Sequence, residues 1–252
     1  MNLAEALHNI QCIGRRQLGS YFNSPVAYVF IVIFLLLAGF FTFMVGGFFQ
    51  RDQASLVAFF MWHPWLFLVL VPAVGMGLWA EERRLGTMEL LLTMPVTAWQ
   101  AIVGKFLAAW VFLAVTLALT FPVWITVNYL GEPDNGVIVC SYIGSLLMAG
   151  ACLSISTMTS ALTRNQVVSF IISIVIILLL ILAGFPPVTE LLKSWDVPAG
   201  LISLIASTSI MTHFEGFQKG VLDLRDVVYF LSVMGFCLFT TGVIIRSLRS
   251  GH

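Results

Sequence analysis

Six stretches of this chain, 25–47, 57–80, 99–127, 137–162, 167–185 and 227–245, are long apolar runs that together hold a single charged side chain, Lys105. An α-helix needs roughly 20 apolar residues to cross a hydrocarbon layer of about 30 Å, and each run is of that order. Backbone N–H and C=O groups in lipid must be satisfied within the segment itself, so such runs fold as helices. The chain therefore reads as an all-α membrane protein with six transmembrane helices. Only 10% of its 252 residues are charged and 60% are hydrophobic, whereas a soluble domain is about a quarter charged. Twelve Lys and Arg balance twelve Asp and Glu, leaving no basic face for nucleic acid, and no nucleic-acid partner is expected.

The start of the first span is well marked, because Ser24 can cap free amides and Pro25 takes the first helical position, where its missing N–H is no loss. Before it, Leu3, Ala6, Leu7, Ile10, Ile13 and Gln17 follow helical spacing, with Glu5, His8, Asn9, Gln11, Arg15 and Arg16 on the other face. Residues 1–24 are thus expected to form an amphipathic helix lying at the membrane interface. Arg15 and Arg16 precede an apolar run too long for a signal-peptide core, so the first span is expected to remain in the mature protein.

An even number of spans puts both termini on one side. Arg15, Arg16, Arg83, Arg84, Lys105, Arg164, Arg246 and Arg249 fall on that side, and Arg51, Lys193, Lys219 and Arg225 on the other. The excess of basic residues places both termini in the cytoplasm of the expected topology, with Lys105 snorkelling from near the start of the third span.

Catalytic and metal chemistry find no foothold in the sequence. Cys12, Cys140, Cys152 and Cys237 are isolated, and the four histidines are dispersed, with His63 in an apolar run read as a packing residue. Gly104-Lys105 cannot belong to a phosphate-binding loop, since Trp99 stands where its upstream glycine belongs and Phe106 where a hydroxyl must hold magnesium. Neither a G-x-S-x-G elbow nor an H-E-x-x-H pair is present. The chain is expected not to be an enzyme and to bind no cofactor directly.

The most informative stretch is 81–96, EERRLGTMELLLTMPV. Thr87 is a good helix N-cap, Glu89 suits the first turn, and Pro95 stops the helix after Met94. A two-turn helix of this length cannot cross a membrane, yet it shows Met88, Leu91 and Leu92 on one face. Burying three such side chains in a partner would contribute roughly 4 to 9 kcal/mol as an upper bound.

The pattern Glu81-Glu82-Arg83-Arg84-x-Gly86-Thr87-x-Glu89, followed by Leu90, Leu91, Leu92 and Pro95, resembles the first cytoplasmic loop of the ABC type-2 (ABC-2) permeases. In that family the loop carries a coupling helix that docks on an ATPase. The resemblance implies one ABC-2 transmembrane domain over 1–252 and assigns Glu81, Glu82, Arg83, Arg84, Gly86, Thr87, Met88, Glu89, Leu91, Leu92 and Pro95 to the ATPase interface. It implies a cytosolic ABC ATPase, in two copies, that carries the ATP and Mg. It also implies a homodimer or a second membrane subunit, such as a GldG-like auxiliary protein. The stretch 213–230, HFEGFQKGVLDLRDVVYF, resembles the approach to the last span in the gliding-motility (GldF-like) permeases. The implied activity is export or extraction of an unidentified substrate across the bacterial inner membrane. Two alternatives stand beside it: a complex that relays ATPase movement to an outer partner without transport, and an ion-coupled transporter. The second normally places a carboxylate, His or basic residue near the bilayer midplane, and these spans lack acids at that depth.

Two regions bear on packing. The long segment 186–226 is expected to form an outer re-entrant hairpin, because its apolar stretch 197–210 is too short to span. Gly150, Ser154, Ser156, Thr157, Thr159 and Ser160 in the fourth span are small or hydroxylated, which favours close helix contact and hydrogen bonds across it.

Overall fold

The computed structural model describes residues 3–48, 55–87, 97–194 and 198–250, and all regular structure among them is helical. Helix α1 (Leu3–Asn23) leads into α2 (Pro25–Phe40), which continues through a π turn (Phe41–Val45). Then come α3 (Val57–Met61), α4 (His63–Gly75), α5 (Gly77–Leu85), α6 (Ala98–Ala118), α7 (Phe121–Leu130), α8 (Asn135–Leu162) and α9 (Gln166–Leu182). Three short helices, α10 (Pro186–Ser194), α11 (Ala199–Ser207) and α12 (Ile210–Gln218), precede the last, α13 (Leu224–Ser250).

Five units are long and apolar enough to cross a membrane: Pro25–Val45, His63–Leu85, Ala98–Leu130, Asn135–Leu162 and Leu224–Ser247. The remaining apolar run forms a bent pair, α9 and α10 turning by 71°, which makes a sixth span if taken as one. The bend falls where Pro186 and Pro187 follow Phe185: neither proline has an N–H to give, and the first drives its predecessor out of helical geometry. The expected re-entrant region begins at this bend and is built of three short helices, the last of which starts at Ser209, whose hydroxyl caps α12 by accepting from Met211 N at 3.2 Å.

Helix α8 is the centre of the bundle, in contact with α4, α5, α6, α9, α12 and α13. Its small residues let these neighbours approach. At Gly144, a Cβ would lie 2.5 Å from both Cβ and Cγ of Phe217, a fully buried side chain of α12. Gly144→Ala must therefore push α12 away, and overpacking of this kind costs about 1–3 kcal/mol. The expected result is a lower thermal unfolding midpoint in detergent, partly restored by Phe217→Leu.

At the same end, His213 bridges the Asp226 carboxylate (Nδ1 to Oδ1, 2.7 Å) and the Ser207 carbonyl (Nε2 to O, 2.9 Å), and stacks on Tyr229 at 4.0 Å. Tyr229 in turn donates to Thr208 O at 2.6 Å. These bonds tie the end of α11 and all of α12 to the start of α13, satisfying backbone groups that a short helix leaves open.

Helix α1 packs along α6. Tyr21 stacks on Phe112 with ring centroids 5.1 Å apart and donates to Val74 O at 3.3 Å, while Ile13, Leu18 and Phe22 rest on the core. Burial within that contact pushes the Tyr21 hydroxyl well above the usual tyrosine range. Asn9, placed by periodicity on the polar face, instead sits on the packed one and donates to Gln100 Oε1 at 3.5 Å.

Candidate functional site

The stretch singled out by sequence begins as helix. Glu81, Glu82, Arg83 and Arg84 are the last turns of α5, which runs without a break from Gly77 to Leu85. Glu, Arg and Leu are strong helix formers, and the two arginines in the final turn complement the negative end of the helix dipole. Gly86 ends the helix with φ of +71°, a left-handed conformation that favours glycine, and its N–H bonds Glu82 O. Thr87 follows, its hydroxyl 3.5 Å from Glu82 O. Met88, Glu89, Leu91, Leu92 and Pro95 lie outside the described residues. A capping box at Thr97 opens α6: Thr97 Oγ1 accepts from Gln100 N and Gln100 Oε1 accepts from Thr97 N.

The two stems flanking this turn are joined by a charge pair that sequence reasoning missed. Lys105 does not snorkel. It is buried, with 4% of its surface exposed, and it donates to Glu82 and to Leu78 O (2.8 Å) on α5 while lying 4.6 Å from the centre of the Trp79 ring. A lysine in an apolar span needs such a set of acceptors, because an unpaired charge there is expensive. The signal was present in the sequence: the one charged residue inside an apolar run lies just past a turn that itself follows two acids. The second Glu82 oxygen is buried with no hydrogen-bond partner among the described residues.

A second fastening joins α5 to α8. The helix breaks at Met76, four residues after Pro72, and the Ser160 hydroxyl fills the gap: it accepts from Trp79 N and Ala80 N, both at 3.0 Å, and donates to Met76 O at 2.7 Å. One turn on, Arg83 donates to Ala161 O at 2.6 Å. Behind them Thr159, Ser169 and Ser173 link α8 to α9, with Thr159 and Ser173 hydroxyls 2.6 Å apart. Of the hydroxyls expected to bond across helix contacts, Ser156, Thr159 and Ser160 do so, to Pro72 O, Ser173 and Met76 O, whereas Thr157 and Ser154 donate to Leu153 O and Ala151 O of their own helix.

Arg84 projects toward the turn between α8 and α9. With Arg164, Asn165, Gln166 and Val167 it lines an open cleft of about 360 Å³. Among the described residues no group of three or more His, Cys, Asp or Glu is placed to hold a metal ion.

A bundle of membrane-length apolar helices defines a multi-pass all-α membrane protein. Residues 65–217, more than half of the chain and including both stems of the turn, match the ABC-2 family transporter proteins. The chain belongs to that family, whose members are non-catalytic membrane domains of ABC transporters. No curated protein matches the chain.

Proposed function

We propose that this chain is the membrane-spanning subunit of an ATP-driven exporter of the bacterial inner membrane, and that 81–96 receives the movement of a cytosolic ABC ATPase present in two copies. The observation that carries this reading is the double fastening of the α5 end. Glu82 is held to α6 through Lys105, and Arg83 to α8 through Ala161 O, so a push on the turn reaches three spans at once. Packed interiors pass such displacements on rather than absorb them. The bundle end carrying Arg83, Arg84, Lys105 and Arg164 also holds α1 and the end of α13, which fits cytoplasmic termini and a positive inner face. ATP and Mg belong to the partner, and two copies of this chain, or one with a second membrane subunit, would form the passage.

Deleting 88–94 should abolish co-purification with the ATPase while leaving the membrane domain folded. An ATPase that still binds at wild-type level removes 81–96 from the interface.

A second reading rests on the resemblance of 213–230 to the gliding-motility permeases. The chain would then relay ATPase movement to an outer partner, with a GldG-like auxiliary subunit in the complex, and His213, Asp226 and Tyr229 would set the rigidity of the end that is pushed. ATPase activity in proteoliposomes with measurable substrate transfer supports the exporter; activity without transfer supports the relay.

A further inference from the structure

We propose that the cleft between Arg84 and Arg164 binds the phosphate headgroup of an anionic membrane phospholipid. The cleft carries positive charge that the protein does not neutralise. The acid beside Arg84 is Glu81, 4.0 Å away on the same helix with both side chains more than half exposed, and such a pair holds its charges weakly. Arg164 makes no ion pair among the described residues, and its charge is felt by Arg83, whose guanidinium is committed to Ala161 O. The turn presenting Arg164 is held in shape: Asn165 N donates to Thr163 Oγ1 at 2.8 Å, and Asn165 Oδ1 caps α9 by accepting from Val167 N at 2.9 Å. The open amides of a 17-residue helix add their partial positive charge at the same place.

Location separates a lipid from other anions. The cleft lies where the spans His63–Leu85 and Asn135–Leu162 end and α9 begins, and the ends of membrane-crossing helices meet the lipid headgroups. Apolar side chains border it: Leu85 and Leu162 are more than half exposed, and Val167, Val168 and Ile171 form an exposed stripe running up α9 from the cleft. A ligand that satisfies both surfaces has an anionic head and apolar tails. A volume of about 360 Å³ falls in the range of small-ligand sites and accommodates a head without its chains. Two arginines can grip the phosphate oxygens with paired N–H donors, which phosphatidylcholine, with its bulky cationic choline, satisfies poorly.

The site needs neither the ATPase nor the exporter reading, so its test uses the full chain alone, in nanodiscs of phosphatidylcholine with a titrated fraction of phosphatidylglycerol, with retained lipid counted by native mass spectrometry. The wild type should retain phosphatidylglycerol with a preference of roughly tenfold. Arg84→Gln/Arg164→Gln should lose that preference, whereas Arg225→Gln, which removes one charge at the opposite end, should keep it. Arg164→Gln alone, in an exposed turn, gives an intermediate preference and covers the case in which the double variant does not fold. Equal retention by the wild type and Arg164→Gln overturns the proposal. So does displacement of the lipid by millimolar inorganic phosphate, which marks a free-anion site, or a wild type with no lipid preference whose Arg164 cross-links to added ATPase, which marks a protein contact.

Discussion

Lys105→Met should lower the stability of the folded chain by about 3 kcal/mol, the lower end of the cost of breaking a buried ion pair, because Glu82 keeps about a quarter of its side chain exposed. The loss comes from what is left behind. Methionine fills the volume of the lysine stem, but Glu82 is then a carboxylate at the edge of an apolar bundle, with one oxygen already lacking a partner among the described residues. Leu78 O loses its lysine donor and the Trp79 ring its cation. Replacing both members, Lys105→Met with Glu82→Leu, should recover most of the stability, since an apolar pair of similar size is often as stable as the ion pair it replaces. Unfolding midpoints of the two variants in detergent decide this, and a double variant no more stable than Lys105→Met alone would mean the pair is not the source of the loss. The double variant also isolates coupling. If the pair transmits movement between α5 and α6, that variant folds and binds the ATPase, yet fails to change ATPase turnover when reconstituted.

The spans were legible because their cause is local. A run such as 137–162 has no charged residue, and only a helix satisfies its backbone in lipid, so α8 appears at Asn135–Leu162, within a few residues of the expectation. The cap at Ser24 is likewise local and was found where expected, with Val26 N donating to Ser24 Oγ. What was not legible is where long apolar stretches break. The run 57–80 contains two breaks, at Trp62 and Met76, and the second depends on a hydroxyl more than 80 positions away in the chain. The end of α9 was placed at Phe185 rather than Leu182, although Pro186 and Pro187 were in view, since hydrophobicity continues through the turn that they impose.

The candidate site shows the same division. Glu81 to Thr87 could be picked out as a unit, because acids, arginines and a glycine at a span exit are a change of composition. Which partner each of them takes is a matter of tertiary packing: Glu82 finds Lys105, Arg83 finds Ala161 O, and Arg84 faces Arg164 across a cleft. Periodicity alone also misassigned Asn9, since a polar residue on a packed face is acceptable once Gln100 answers it. The amphipathic pattern of 1–24 described a helix with two faces correctly, but it could not say that the neighbour on one face would be α6 rather than lipid.

Ser160→Ala should cost about 2–5 kcal/mol, more than any other single hydroxyl removal in the fourth span. The substitution deletes one oxygen and adds no bulk, so its effect is a hydrogen-bond effect. Trp79 N and Ala80 N, both at fully buried positions, lose their acceptor, and Met76 O loses a donor. An unpaired polar group in such surroundings costs about 1–3 kcal/mol, and lipid around the bundle offers no replacement. Thr157→Val provides the control: that hydroxyl is equally buried but, among the described residues, bonds only Leu153 O of its own helix at 2.8 Å, so its loss should change stability by less than about 1 kcal/mol. The consequence reaches beyond stability. Ser160 holds the break that aims α5, and the aim of α5 places Glu82 against Lys105. A Ser160→Ala chain should therefore also weaken the response of ATPase turnover to the assembled complex, in the same direction as loss of the ion pair, and combining it with the Lys105/Glu82 double replacement should add little further. Thermal unfolding of Ser160→Ala and Thr157→Val side by side is the decisive measurement. Equal midpoints would show that α5 holds its direction without Ser160, and would leave the Lys105–Glu82 pair and the Arg83 bond to Ala161 O as the fastenings that set it.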